Sequence, residues 1–304
     1  MGVTEIELRE ATHDDYENVV AFTEDTWADR GRGDYIPRIY HDWIDGENQY
    51  TLVADAGDEI AGIVQCVMLS DWEAWGQGMR VNPDFRGRGV ASAMTYDLFD
   101  WAREQGATVL RNMVFSWNVA GLGSSRAAGY DPVTEFRWAH PKPDADAESE
   151  MTLTDDVNAA WKFWTGSDAR THLEGLVLDF EESWALSELT REDLQNSAES
   201  DELLVVQDDG VRGFATVCRE SEWENEAGDP ETWVEYSIGA WDDADSARAL
   251  FAEIARDAAE RGAEQTRVLI PETAQFVSDT AYARVEISDD PDFVMGMDLT
   301  KSYR

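Results

Sequence analysis

Lysine is nearly absent from this chain: Lys142, Lys162 and Lys301 are the only three in 304 residues. Basic residues number 24 against 64 acidic ones, for a formal net charge of −40. No basic patch exists to neutralise a phosphate backbone, which excludes nucleic acid as a partner. Cysteine is scarce too. Cys66 and Cys218 lie in apolar, strand-like runs, so two buried thiols are expected rather than a disulfide framework. No apolar run approaches the roughly 20 residues of a membrane-spanning helix, and Met1–Glu7 lacks a charged-then-apolar signal region. These absences lead to the expectation of a cytoplasmic protein with no membrane partner and no metal.

Aromatic and apolar residues are plentiful. Thirteen Trp, nine Tyr and eleven Phe in a chain that is 43% hydrophobic do not fit a disordered acidic polymer, which is poor in such residues. The acids therefore coat a folded body. Self-repulsion of such a coat destabilises the compact state, and molar salt screens it to about 3 Å. The composition resembles that of proteins from salt-accumulating halophiles. The melting temperature is expected to rise between low and molar KCl, and a thermal melt series that is flat or falling would contradict this reading.

The chain reads as an alternation of strands and helices, an α/β (α+β) pattern with a mixed central sheet. Ile6–Arg9 alternates like a strand, and Thr12–Asp15 is a capping-box helix start. Gly31–Trp43 reads as a loop rich in glycine and aromatics. Gln49–Ala54 and Ile60–Leu69 form a strand pair, and a strand near Trp75–Val81 precedes a helix that stops at Gly106. Val109–Val114, Asn118–Ala128 and Val133–Ala139 continue as strand, helix and strand. Pro141–Glu150 is linker-like in composition, placing a domain boundary between residues 143 and 144. A helical pattern then covers Val157–Leu176. Beyond it the first half repeats faintly, with Leu203–Val206, Gly213–Cys218 and Arg267–Ile270 echoing Leu52–Ala54, Gly62–Cys66 and Val109–Asn112.

The most informative stretch is Val81-Asn-Pro-Asp-Phe-Arg86-Gly87-Arg88-Gly89-Val90-Ala91. Glycines between a strand and a helix start let backbone N–H groups converge on an anion, and the helix terminus adds partial positive charge. Two arginines sit in this loop. At the matching place in the second half stands Ile238-Gly-Ala-Trp-Asp-Asp-Ala-Asp-Ser246, whose carboxylates would repel a pyrophosphate. One cofactor site per chain, in the first half, follows.

The loop in this context resembles the acetyl-coenzyme A signature of the GCN5-related N-acetyltransferases, the GNAT superfamily, over roughly residues 3–140. The resemblance implies a GNAT domain over 1–143 and a degenerate GNAT-like domain without a cofactor loop over 144–304. It implies acetyl-CoA as co-substrate, held by Arg86, Gly87, Arg88, Gly89, Val90 and Ala91, by the strand backbone at Met79, Arg80 and Val81, and by Asn118. The Met79 N–H would face the thioester oxygen.

The proton-handling positions depart from the family. Gln77 stands where many members carry a carboxylate base, and Gln takes no proton at neutral pH. Glu73, four residues upstream on the same strand, is the substitute candidate, and His13 and His41 are other lenders of a base. The pattern Asn118…Gly121…Ser125…Gly129-Tyr130 puts Ser125 where the family's thiolate-protonating Tyr would be. An amine of pKa near 10.4 is about 0.1% free base at pH ~7.4, whereas one near 8 is about a fifth free base. A weak base therefore favours a low-pKa amine.

Asp34-Tyr35-Ile-Pro-Arg-Ile-Tyr40-His-Asp-Trp43 resembles a segment of vertebrate histidine N-acetyltransferase-like proteins, in which Glu replaces Gln77. That resemblance makes Tyr35, Tyr40 and Trp43 an aromatic wall for a small amine or imidazole. The expected function is acetyl transfer to the amine of a small molecule, an amino acid among them, by direct attack in a ternary complex. The alternatives are a non-catalytic acyl-CoA sensor and a protein N-acetyltransferase. A homodimer stays open.

Overall fold

The computed structural model describes residues 6–27, 33–224 and 228–303. The chain forms two compact units. The first contains residues 1–114, 118–132 and 295–304, and the second 115–117 and 133–294.

In the first unit, β1 (Glu7–Glu10) is followed by a short turn of helix at His13–Asp15 that carries the expected capping box, with the Thr12 N–H donating to Asp15 at 2.8 Å. Helix α1 (Tyr16–Thr23) and helix α2 (Ile36–Asp45) come next. The second of these occupies much of the stretch expected as loop. Pro37 stands in its first turn, where proline's fixed φ and missing donor suit a helix start, and Asp34 accepts the Ile36 N–H at 3.0 Å. Gly31 and Arg32 fall outside the described residues.

Strands β2 (Gln49–Asp55), β3 (Ile60–Met68) and β4 (Glu73–Val81) form an antiparallel meander. Helix α3 (Val90–Glu104) leads to β5 (Val109–Phe115), parallel to β4, and helix α4 (Val119–Ala128) follows. Both sheet faces are covered. Leu52, Val64, Cys66, Met94 and Phe99 pack on the α3 face, while Val53, Ile63, Ile36, Tyr40 and Trp43 pack on the α2 face. That period-2 division explains why β2 and β3 read as unbroken apolar runs. Burial pushes the Cys66 thiol pKa up.

In the second unit, β6 (Asp131–His140), β7 (Thr152–Thr154), helices α5 (Val157–Gly166) and α6 (Asp168–His172), the β8–β9 hairpin (Leu176–Leu178 and Leu186–Glu188) and α7 (Arg191–Glu199) precede a second meander. This is β10 (Leu203–Gln207), β11 (Val211–Glu224) and β12 (Pro230–Trp241). Helix α8 (Ala244–Glu260) joins it to a parallel β13 (Gln265–Pro271), and α9 (Ala274–Tyr282) and β14 (Glu286–Ile287) lead to β15 (Asp292–Asp298). The second unit's sheet runs β6-β13-β12-β11-β10-β7, and the first unit's runs β1-β2-β3-β4-β5 and ends on β15. Each unit therefore repeats the order meander, helix, parallel strand, helix.

The two closing strands are exchanged, so a single cut at 143/144 does not divide the chain. From Val133 onward β6 belongs to the second unit, pairing antiparallel with β13. The last ten residues return to the first, where Leu299 donates to Thr108 at 2.9 Å and Met295, Met297 and Leu299 enter the core. Nor is Pro141–Glu150 a loose linker. Asp144 donates to Ala255 at 2.9 Å, and the Pro141 and Ala147 carbonyls accept from Thr266 and Arg256. Among the described residues no helix is long and apolar enough to cross a membrane.

Candidate functional site

The site is built where β4 loses its regular neighbours on both edges. On one edge, β4 pairs with β3 from Met68↔Ala74 to Gln65↔Gln77 and resumes at Ile63↔Arg80. Two residues, Gly78 and Met79, thus oppose one, Val64. This is a β-bulge, which takes backbone groups off the ladder and re-aims them. Gly78 lies at φ +65°, and a Cβ there would fall 2.1 Å from Trp43 Cη2. Both the backbone sign and the indole require glycine. On the other edge, β4 pairs with β5 only at Glu73–Trp75 against Val109–Arg111. Both strands run on, to Val81 and Phe115, so the sheet forks after Trp75.

The Arg86–Ala91 loop follows. Gly87 and Gly89 have φ +74° and +81°, with open space where a Cβ would be. Gly89 is the N-cap of the 15-residue α3, which has no side-chain cap and no acid in its first turn. Its leading N–H groups are therefore presented outward. Arg86 and Arg88 are exposed and form no ion pair among the described residues, in a chain with 64 acids. Arg88 lies 4.9 Å from the Phe85 ring. The equivalent start in the second unit is self-satisfied. Asp243 caps α8 by accepting from Ser246 N–H at 2.9 Å, and Arg212 pairs with both Asp242 and Asp243. The Ser246 N–H bond is the chief reason the Asp243 carboxyl sits below its ordinary pKa.

The candidate proton carriers fare unequally. Glu73 is 2% exposed and lies before the fork. Its carboxylate accepts from Arg111 at 2.5 Å and Ser70 at 3.2 Å. It is an internal counterion, not an available base, which corrects the expectation for it. Replacing it with Gln would leave the Arg111 charge buried and cost about 3–5 kcal/mol. Denaturant unfolding of Glu73→Gln should show that loss, while the pH dependence of turnover stays unchanged.

Gln77 lies past the fork, and its Nε2 donates to Gln65 Oε1 at 2.7 Å. Gln65 is fully buried and donates onward to Gln49 at 3.0 Å and Thr51 at 3.3 Å, and Thr51 donates to the Trp43 carbonyl at 2.8 Å. An amide ladder across β4, β3 and β2 thus ties Gln77 to the helix that carries Trp43.

Ser125 is 8% exposed and accepts from Asn112 Nδ2 at 3.3 Å. Asn112 is the first β5 residue beyond the pairing with β4. Tyr130 is core, edge-on to Phe99 at 5.2 Å, with its hydroxyl pKa pushed well up by burial. Asn118 caps α4 by accepting Gly121 N–H at 3.0 Å. Asn112, Gln65 and Asp34 escaped the sequence reading because their partners are distant in the chain.

Of the three aromatic candidates, Tyr40 is fully buried and donates to the Thr12 carbonyl at 2.7 Å, so it is not a substrate wall. Trp43 and Tyr35 do meet at the bulge, edge-to-face at 6.1 Å. The Arg80 guanidinium lies 5.5 Å from the Tyr35 ring and is bound to Asp34 at 2.6 Å, which leaves only backbone at this position for a cofactor. His13 and His41 bond each other through Nδ1 at 2.8 Å, and His13 bonds Asp45 at 2.8 Å on an exposed edge. Among the described residues no group of His, Cys, Asp and Glu is arranged to hold a metal.

Residues 8–124 match the model of the acetyltransferase (GNAT) family. Histidine N-acetyltransferase of Oreochromis niloticus is 28% identical over 85 residues, which is 28% of this chain and 24% of that protein. The Xenopus tropicalis protein of the same name is 29% identical over 91 residues, 30% of this chain and 27% of that one. The matched stretch thus spans about a quarter of these curated relatives. A GCN5-related N-acetyltransferase structure from Sphaerobacter thermophilus superposes with a TM-score of 0.64 at 14% identity, covering 97% of this chain and 96% of that one. At that identity the likeness is one of fold.

Proposed function

We propose that the protein is an acetyl-CoA-dependent N-acetyltransferase of small amines, a reading supported by the match of residues 8–124 to the acetyltransferase (GNAT) family model. The observation that carries this reading is the forked, bulged β4 leading into a helix start without a side-chain cap, with two exposed arginines that form no ion pair among the described residues. The fit to acetyl-CoA is chemical: convergent N–H groups and guanidiniums suit a pyrophosphate, and an open strand edge suits an amide-bearing arm. Acetyl-CoA would supply the acyl group as a thioester.

The chain's own residues then do the following. Arg86, Arg88 and the N–H groups of Gly87–Ala91 hold the phosphates. The backbone of Met79–Val81 holds the arm, and the bulge turns an N–H toward the carbonyl oxygen, where negative charge develops on attack. Ser125, oriented by Asn112, would pass its proton to the departing sulfur and regain one from the proton that the attacking amine sheds, so that the amine's proton ends on the thiol. Trp43 and Tyr35 flank the acceptor side. Gln77 holds position through the amide ladder and takes no proton.

With Glu73 engaged by Arg111 and an amide at position 77, the acceptor must arrive largely as free base. Amines of low pKa are accordingly the substrate class, with amino acids the first to examine. The distinguishing experiment is thiol release from acetyl-CoA across a panel of amines at several pH values. Turnover should track each amine's own ionisation, rising tenfold per pH unit to about its pKa and then levelling. The same engaged Glu73 and amide Gln77 favour a second reading, a non-catalytic acyl-CoA sensor. Tight acetyl-CoA binding with no turnover of any amine would decide for it.

A further inference from the structure

The second unit contains a buried group of charged side chains in which one donor, Arg267 Nε, is left unmet. Arg219, Glu235 and Arg267 stand directly opposite one another across β11, β12 and β13, and direct cross-strand neighbours share a face. Glu235 is fully buried and accepts from Arg219 at 2.9 Å and Arg267 at 2.8 Å. One carboxylate thus serves two guanidiniums, in a chain of net charge −40. Neither of the other acids nearby hydrogen-bonds Arg267 among the described residues. Asp292 accepts from Trp138 Nε1 at 3.0 Å, and burial lifts its pKa to about 6. The Asp179 carboxylate accepts the Glu181 and Glu182 N–H groups, and only its backbone carbonyl meets Arg219.

Arg267 itself is 6% exposed, and its Nε is buried with no protein hydrogen-bond partner. Buried guanidinium donors are costly to leave unmet, and each such orphan calls for a cause. Indole rings surround the group. The guanidinium carbon lies 4.2 Å from the Trp184 ring, 4.6 Å from Trp138 and 5.8 Å from Trp223. Trp138 is buried, whereas Trp184 and Trp223 are half-exposed. Trp184 has φ +65°, a conformation that is a genuine outlier for a bulky aromatic residue and that marks functional clamps. The Phe115 ring meets Trp184 edge-on at 6.5 Å and stacks on Trp117 at 5.0 Å, which widens the aromatic surface.

We propose that this group is a binding site for a small carboxylate carrying a flat aromatic or heteroaromatic body. Arg267 takes the carboxylate through its unmet donor, and the half-exposed faces of Trp184 and Trp223 take the ring. The unmet Arg267 donor selects an acceptor that bears negative charge, and the indoles select its flat part. Trp184 is held in its unfavourable backbone conformation because its ring forms one wall.

The test is calorimetric titration of the full chain in molar KCl at neutral pH, without acetyl-CoA, so its outcome is independent of the acetyl-transfer reading. Phenylacetate should bind, with phenylacetamide and acetate each at least about tenfold weaker. Arg267→Gln should erase the acid-over-amide preference, and Arg267→Lys should keep part of it. Trp184→Gly removes the wall and relieves the backbone, so it should weaken phenylacetate about tenfold or more without lowering the melting temperature. Equal binding of phenylacetate and its amide to the wild type would overturn the proposal, as would no binding of either. So would an undiminished preference in folded Arg267→Gln. If Arg267→Gln does not fold, Arg267→Lys and Trp184→Gly decide by the same readout.

Discussion

Charge reversal at Arg86 and Arg88, Arg86→Glu with Arg88→Glu, is expected to abolish measurable acetyl-CoA binding. Each guanidinium–phosphate contact contributes about 1.5–3 kcal/mol, and reversal also replaces attraction with repulsion. Together the two changes lower affinity by roughly a thousandfold or more at low ionic strength. Molar KCl shortens the screening length to about 3 Å. There the direct hydrogen bonds still count while the wider field does not, so the loss in high salt should be nearer a hundredfold. Both side chains are exposed and make no ion pair among the described residues, so the melting temperature should hardly move. Calorimetry on the wild type should also return one site per chain, because Asp243 and Asp245 occupy the α8 start where a second pyrophosphate would sit. An affinity left unchanged by the double reversal would refute the cradle.

The glycine loop and the helix start it leads into are legible in the sequence because everything that makes them is local. Gly87 and Gly89 supply the positive φ, Gly89 is the N-cap of α3, and Arg86 and Arg88 each precede one of these glycines. Glu73 was misread for the opposite reason. Strand phase placed it on the face of Gln77, but its partner Arg111 comes from a parallel strand 38 residues away, and no spacing rule pairs them. Tyr40 looks available from the sequence because Gly31–Trp43, rich in glycine and aromatics, reads as a loop in which Pro37 has no evident place in a helix. In fact it opens α2, whose turn carries Tyr40 inward to the Thr12 carbonyl. The exchange of β6 and β15 was likewise invisible. Which edge a closing strand joins depends on pairing with residues far away in the chain, as β6 pairs with β13. The meander, helix and parallel strand of each unit were recoverable, since their periodicity and glycine stops lie within single segments.

The second large effect is expected at Gly78, where the bulge and the acceptor wall meet. An alanine there must adopt φ +65°, which costs about 1–2 kcal/mol for an L-residue. Its Cβ would also fall 2.1 Å from Trp43 Cη2 and 2.8 Å from Cζ3, and displacing a packed indole adds about 1–3 kcal/mol. Gly78→Ala should therefore lose roughly 2–5 kcal/mol of stability, read by denaturant unfolding. The effect on turnover has a different origin. If the bulge aims an N–H at the thioester oxygen, a shifted backbone misplaces that donor, and loss of one such donor lowers kcat about a hundredfold to a thousandfold. The cradle begins eight residues later, at Arg86, so acetyl-CoA affinity should change much less than kcat. Pairing Gly78→Ala with Trp43→Ala separates the two causes. Removing the indole relieves the clash and should recover part of the stability relative to the sum of the single changes. It leaves the backbone sign unsuited to alanine, so kcat should remain low. Full recovery of kcat in the double variant would show that Trp43, and not the bulge geometry, governs the reaction.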